Sequence, residues 1–77
     1  MGLPTQGDVR DMIAGAISEL TGTPACEVDL GPSRVLIHPD TRCGYNWSYP
    51  DARVKARFRP FVHRAVGMVR QQYPILR

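Results

Sequence analysis

Apolar positions follow three different regimes along the chain. Between Thr5 and Leu20, Val9, Met12, Ile13, Ala16, Ile17 and Leu20 recur every three or four places, the spacing that gathers side chains on one helix face. Thr5 and Asp8 have the form of a capping box, in which each side chain accepts the other's backbone N–H. Asp8 and Asp11 stand where the helix field favours acids, and Gly22 followed by Pro24 supplies a stop. Together they predict a helix over residues 6–20 whose stripe covers the C-terminal half.

The period then shortens. Val28 and Leu30 alternate with Glu27 and Asp29, while Val35, Leu36 and Ile37 form a compact run, with Gly31, Pro32 and Ser33 as turn material between them. An antiparallel hairpin is expected, with strands near residues 26–30 and 34–38. Pro39 and Asp40 end the second strand. Tyr45, Trp47 and Tyr49 alternate with Asn46 and Ser48, which reads as a short third strand or an aromatic connection. Two strands alone are marginal, so helices must cover one face or a third strand must pair.

In the last third, Val54, Phe58, Phe61, Ala65, Met68 and Val69 repeat at the helical period, with Val62 and Tyr73 at the margin. Ser48, with Pro50 and Asp51 after it, has the composition of a helix start. Pro60 opposes a continuous helix, because it cannot donate to the carbonyl four residues back and its ring crowds that turn. A kink, or a fresh helix beginning there, resolves the conflict. The alternative is a strand with Ala52, Val54, Ala56 and Phe58 facing inward and Arg53, Lys55, Arg57 and Arg59 outward. Alanine and the basic residues favour the helix. Pro74 should end it, leaving Ile75 and Leu76 as an apolar tail. The expected fold is α+β in one small domain over residues 1–77. It has an N-terminal amphipathic helix, a hairpin or three-stranded sheet, and a C-terminal amphipathic helix kinked or broken near Pro60.

Composition changes this picture little, and charge changes it more. A hydrophobic share of 43% is enough for a packed core, which opposes whole-chain disorder. A chain of this length buries only about 60–65% of its unfolded surface, so a partner could usefully complete the core. The net charge of +3 hides a polarity: residues 1–49 hold three bases against six acids, and residues 50–77 hold seven bases against one acid, a local balance of +6. No apolar run is long enough for a bilayer, and the first residues lack the regions of a secretion signal, so a cytoplasmic location away from membranes is expected.

Cys26, His38, Cys43 and His63 are zinc-type ligands, but their separations of 12, 5 and 20 residues contain no chelating pair. Free thiols are expected at Cys26 and Cys43, since a bridge belongs to an oxidising compartment. No carboxylate pair, activated nucleophile or phosphate loop stands out, so neither an enzyme nor a cofactor is expected. The residues left to carry function are rings and bases: Tyr45, Trp47 and Tyr49 beside Arg53, Lys55, Arg57, Arg59, Arg64 and Arg70, with Ile75 on the tail. The structural alternative puts Trp47 and one tyrosine in a thin core, with the arginines on a wet rim.

A small non-enzymatic protein-binding or regulatory protein is the expectation, its partner a protein and possibly itself, as a homo-oligomer in which the acidic helix faces the basic segment. The alternative is a DNA- or RNA-binding protein, with phosphates on the basic stretch 53–64 and bases stacked on Tyr45, Trp47 and Tyr49.

Overall fold

Reciprocal capping at Thr5 starts the first helix as the spacing predicts. In the computed structural model, which describes residues 4–39, 42 and 44–76, the Thr5 N–H donates to the Asp8 carboxylate at 3.0 Å and the Asp8 N–H donates to the Thr5 hydroxyl at 3.1 Å. Helix α1 spans Gln6–Thr21 and closes on Gly22 in the left-handed region at φ 72°, where the Gly22 N–H donates back to the Ser18 carbonyl. Val9, Ile13, Ala16 and Ile17 are its buried residues, with Met12 packed at the margin.

The architecture is α+β: α1, strand β1 at Leu36–Ile37, strand β2 at Trp47–Ser48, and helix α2 at Arg59–Gln72. The two helices pack on one another, and the two strands form an antiparallel sheet with Leu36 opposite Ser48 and Ile37 opposite Trp47. One cluster joins both helices, β2 and Val35 next to β1, with Trp47, Phe58, Ile13 and Ile17 as its largest fully enclosed side chains.

Residues 26–30 do not form the first strand of a hairpin. A single 3-10 turn covers Ala25–Glu27, and the partner of the Leu36–Ile37 strand is Trp47–Ser48 instead. Side chains hold the backbone of the turn that follows. The Asp29 carboxylate accepts from the Gly31 N–H at 2.8 Å, while the Arg10 guanidinium donates to the carbonyls of Gly31 at 2.6 Å and Ser33 at 3.3 Å. Val28 and Leu30 still point toward the core, so the alternation is real although no strand forms.

The sheet stays two-stranded, yet the far side of β2 is not empty. The Asn46 N–H donates to the Pro74 carbonyl, the indole N–H of Trp47 donates to the Tyr73 carbonyl, and Asn46 closes a ring with Leu76. That ring runs from the Asn46 amide to the Leu76 carbonyl at 2.6 Å and from the Leu76 N–H to the Asn46 side-chain oxygen at 2.8 Å. A buried asparagine thus takes the place of a strand's own peptide groups and holds Leu76 in the core. Asn46→Ala is expected to cost about 2 kcal/mol, because it leaves two buried backbone groups without partners. Thermal unfolding would register it, and unchanged protection of the Leu76 amide from hydrogen exchange would contradict the account.

Residues 52–58 are neither helix nor strand. Successive turns carry them, with Val54 N–H donating to Asp51 C=O and Phe58 N–H to Lys55 C=O. Val54 and Phe58 are buried while Ala52 and Ala56 are exposed, so the burial follows the helical spacing and not the strand alternation. Continuous helical bonding fails because Pro60 has no N–H for the carbonyl of residue 56. Proline is tolerated at a helix start, and α2 begins at Arg59 with Pro60 in its first turn, so no kink interrupts it. Ser48 therefore caps nothing, and its hydroxyl lies 2.8 Å from the His38 ring.

Candidate functional site

Register decides which side chains of the sheet face water. With position 36 opposite 48, Val35, Ile37, Trp47 and Tyr49 fall on the inner face, and Arg34, Leu36, His38, Ser48 and Pro50 on the outer one. Burial agrees at Val35, Trp47 and Tyr49, all enclosed, and at Arg34, Leu36, His38 and Pro50, all exposed. Ile37 stands at the open edge and stays 38% accessible.

This corrects the expected role of two rings. Trp47 is fully enclosed, with its N–H used by the Tyr73 carbonyl, and Tyr49 is buried with its hydroxyl directed to the Ser33 carbonyl at 3.3 Å. Neither offers a face to a base or a partner, because a core of this size has no other large aromatic side chain on the sheet. Tyr45 is half-buried beneath Arg70, whose guanidinium lies 3.8 Å above its centre and 5.2 Å from that of Trp47. Arg70 also donates to the Trp47 carbonyl at 2.8 Å, so the one place where predicted rings and a predicted base meet is an internal brace.

The remaining bases divide by what they touch. Arg59 folds back onto the turns before it, donating to the carbonyls of Val54 at 3.0 Å and Ala52 at 3.3 Å. Lys55 pairs with Asp29 across 3.4 Å in an exposed contact of small energy. The Gly31 N–H and the Lys55 ammonium together hold the Asp29 carboxyl below the ordinary aspartate range. Arg57 lies over the Phe58 ring at 4.7 Å. Arg53 and Arg64 are exposed, and no acid among the described residues lies within ion-pair reach of either. Ile75 is 39% accessible on the tail, on the opposite side from buried Leu76.

A depression of about 440 Å³ opens on the outer face of the sheet, lined by Pro32, Ser33, Arg34, Leu36, Pro50, Ala52 and Arg53. Its lining combines two arginines with the apolar side chains of Pro32, Leu36, Pro50 and Ala52. Ser33 is buried, and its hydroxyl has no hydrogen-bond partner. Arg53 was legible as part of the basic stretch. Arg34, Leu36 and Ser33 were not, since only the pairing of β1 with β2 brings them beside Pro50 and Arg53.

Among the described residues no three His, Cys, Asp or Glu side chains gather as a metal site. Cys26 is an exposed free thiol, while Cys43 lies outside the described residues. His63 is exposed and 3.7 Å from Asp51. No helix among the described residues is long and apolar enough to cross a membrane. Comparison with protein-family models, with curated proteins and with solved structures returns no match.

Proposed function

We propose that the protein is a small non-enzymatic protein-binding or regulatory domain, and that its recognition surface is the uncovered outer side of the sheet with the basic turns beside it. The observation that carries this reading is the depression that Leu36, Pro32 and Pro50 line together with Arg34 and Arg53. Apolar and charged side chains together are the composition of a protein contact: the apolar ones gain from leaving water, and the charged ones select partners by charge. Arg64, exposed on α2, and Arg57 extend the positive field that would speed the encounter. The rings first assigned to this surface are replaced by aliphatic and proline side chains.

Nucleic-acid binding keeps the positive charge but loses Trp47 and Tyr49 as stacking platforms, since both are enclosed. The test is capture from a nuclease-treated cell lysate on the immobilised chain, compared with the Arg53→Glu/Arg64→Glu variant. A stoichiometric protein should stay on the unaltered chain and fall at least about tenfold on the variant, the loss expected from reversing one charge at the depression and one in the positive field around it. Loss of every bound component after nuclease would sink the proposal.

A further inference from the structure

Among the described residues, strand β1 has one side occupied and one side open. The His38 N–H donates to the Asn46 carbonyl at 2.6 Å, so position 38 bonds across to β2. In an antiparallel ladder successive residues alternate between bonding across and pointing away. Ile37 therefore turns its N–H and C=O to the far side. On β2 the Trp47 carbonyl likewise points away from β1 and accepts from Arg70, while the Asn46 N–H leaves the ladder for the Pro74 carbonyl. The C-terminal tail and Arg70 occupy that far side of β2, whereas among the described residues no backbone group bonds the outward edge of Ile37. Leu36 at 49% and Ile37 at 38% are among the most accessible large apolar side chains of the molecule, and both are on this strand.

An open edge with apolar side chains pairs with another extended segment unless something prevents it. Charge decides which segment. Arg34 lies on the outer face two places before Leu36, and Arg53 lines the same depression. The charge that bears on this end is local: it is that of Arg34 and Arg53, neither of which has an ion-pair partner among the described residues. An acidic segment meets it with opposite charge.

We infer that the edge of β1 takes an extended acidic segment of a partner protein as a third strand. This rests on the protein-binding reading above. Antiparallel addition bonds one residue of the segment to the N–H and C=O of Ile37. The next residue then stands over Leu36, and an acid two places beyond that stands opposite Arg34, beside the depression that Arg53 also lines. The segment's backbone supplies affinity, and its carboxylate fixes register and direction. Ser33, buried in the wall with its hydroxyl unpartnered, is the remaining polar group at that end.

The test uses the full chain and a short synthetic peptide alternating threonine with glutamate, against a control alternating threonine with lysine. Amide shifts should concentrate on residues 34–38, and the Ile37 amide should gain protection from hydrogen exchange when the glutamate peptide is bound. Arg34→Glu/Arg53→Glu, at two exposed positions, should weaken the glutamate peptide about tenfold or more and improve the lysine control. Ile37→Pro removes an outward N–H without touching the bonds to β2, and should abolish binding with the fold retained by circular dichroism. Equal binding of both peptides, undiminished binding by Ile37→Pro, or protection of Ile37 by self-association would each overturn the inference. Shifts confined to residues 57–64 would also overturn it while leaving the protein-binding reading intact. Displacement of the peptide by a thymidine oligonucleotide, with lysate capture lost to nuclease, would end both.

Discussion

Trp47→Ala should lose about 3–5 kcal/mol of folding stability, the cost of emptying a large enclosed site. A domain of 77 residues has only about 4–12 kcal/mol in total on the usual per-residue scale, so the variant is expected to be largely unfolded at body temperature. Three losses coincide at this position. The ring leaves a void between the strands and the helices, the Tyr73 carbonyl loses its donor at 2.8 Å, and Arg70 loses one of the two rings under its guanidinium. Trp47→Phe separates them, since it keeps most of the volume and gives up the hydrogen bond; about 1–2 kcal/mol is expected for it. Urea denaturation followed by far-ultraviolet circular dichroism is the suitable measurement, because Trp47 is the chain's single tryptophan and its fluorescence disappears with it. A Trp47→Ala variant that unfolds at the same urea concentration as the parent would mean that the ring is not the centre of this core. Any loss of partner binding by that variant would report unfolding, not a contact made by the ring.

The second large effect is expected at Gly31, where two constraints meet. Its φ of 64° lies in the region that side chains disfavour, and a Cβ placed there would lie 2.6 Å from the carbonyl oxygen of Arg53. Backbone sits on both sides of that approach, so no side chain can swing aside to relieve it. Gly31→Ala should cost about 2–4 kcal/mol, of which the backbone conformation alone accounts for roughly 1. Gly44→Ala is the control: its φ is 87° but nothing lies within 4 Å of the added carbon, so only the conformational part should appear. Equal unfolding midpoints for the two variants would show that the approach of Arg53 to Gly31 is looser than described. The same substitution should also weaken acidic peptides, because it displaces Arg53 from the depression it lines with Arg34.

Local features were legible wherever the chemistry was local. Thr5 and Asp8 announce the start of α1, Gly22 its end, and the spacing from Val9 to Ile17 its buried face, because each depends on residues within one or two turns. The C-terminal helix was legible in its burial pattern and misplaced in its start. Val54 and Phe58 hold helical spacing without helical bonding, since turns place side chains four apart on one side as a helix does. Strand pairing was the weakest part. Val28 and Leu30 alternate like a strand, but the Val28 N–H closes a turn onto Ala25 and the next peptide groups, at Gly31, are held by Asp29 and Arg10, an arrangement that nothing local distinguishes from a ladder.

The candidate surface shows the same division. Arg53 and Arg64 could be picked out as members of a basic stretch, and they remain accessible. Arg59 and Arg70 belong to the same stretch, yet both are spent on backbone carbonyls, and Arg70 on two rings besides. Side-chain identity cannot separate these cases, because an arginine that braces a fold and one that meets a partner are the same residue in different surroundings.

By itself the order of residues determined that two amphipathic segments would need a common core, that Pro60 would interrupt the second, and that positive charge would concentrate in the C-terminal half. Only the tertiary structure decided that Trp47 and Tyr49 are enclosed, that Leu36–Ile37 pairs with Trp47–Ser48, and that Arg34 and Arg53 line one depression with Leu36 and Pro50. The reason is range: caps, turns and periodicity act over a few residues. Which aromatic fills a core, and which strand edge is left open, depends on groups ten to thirty places apart competing for the same space.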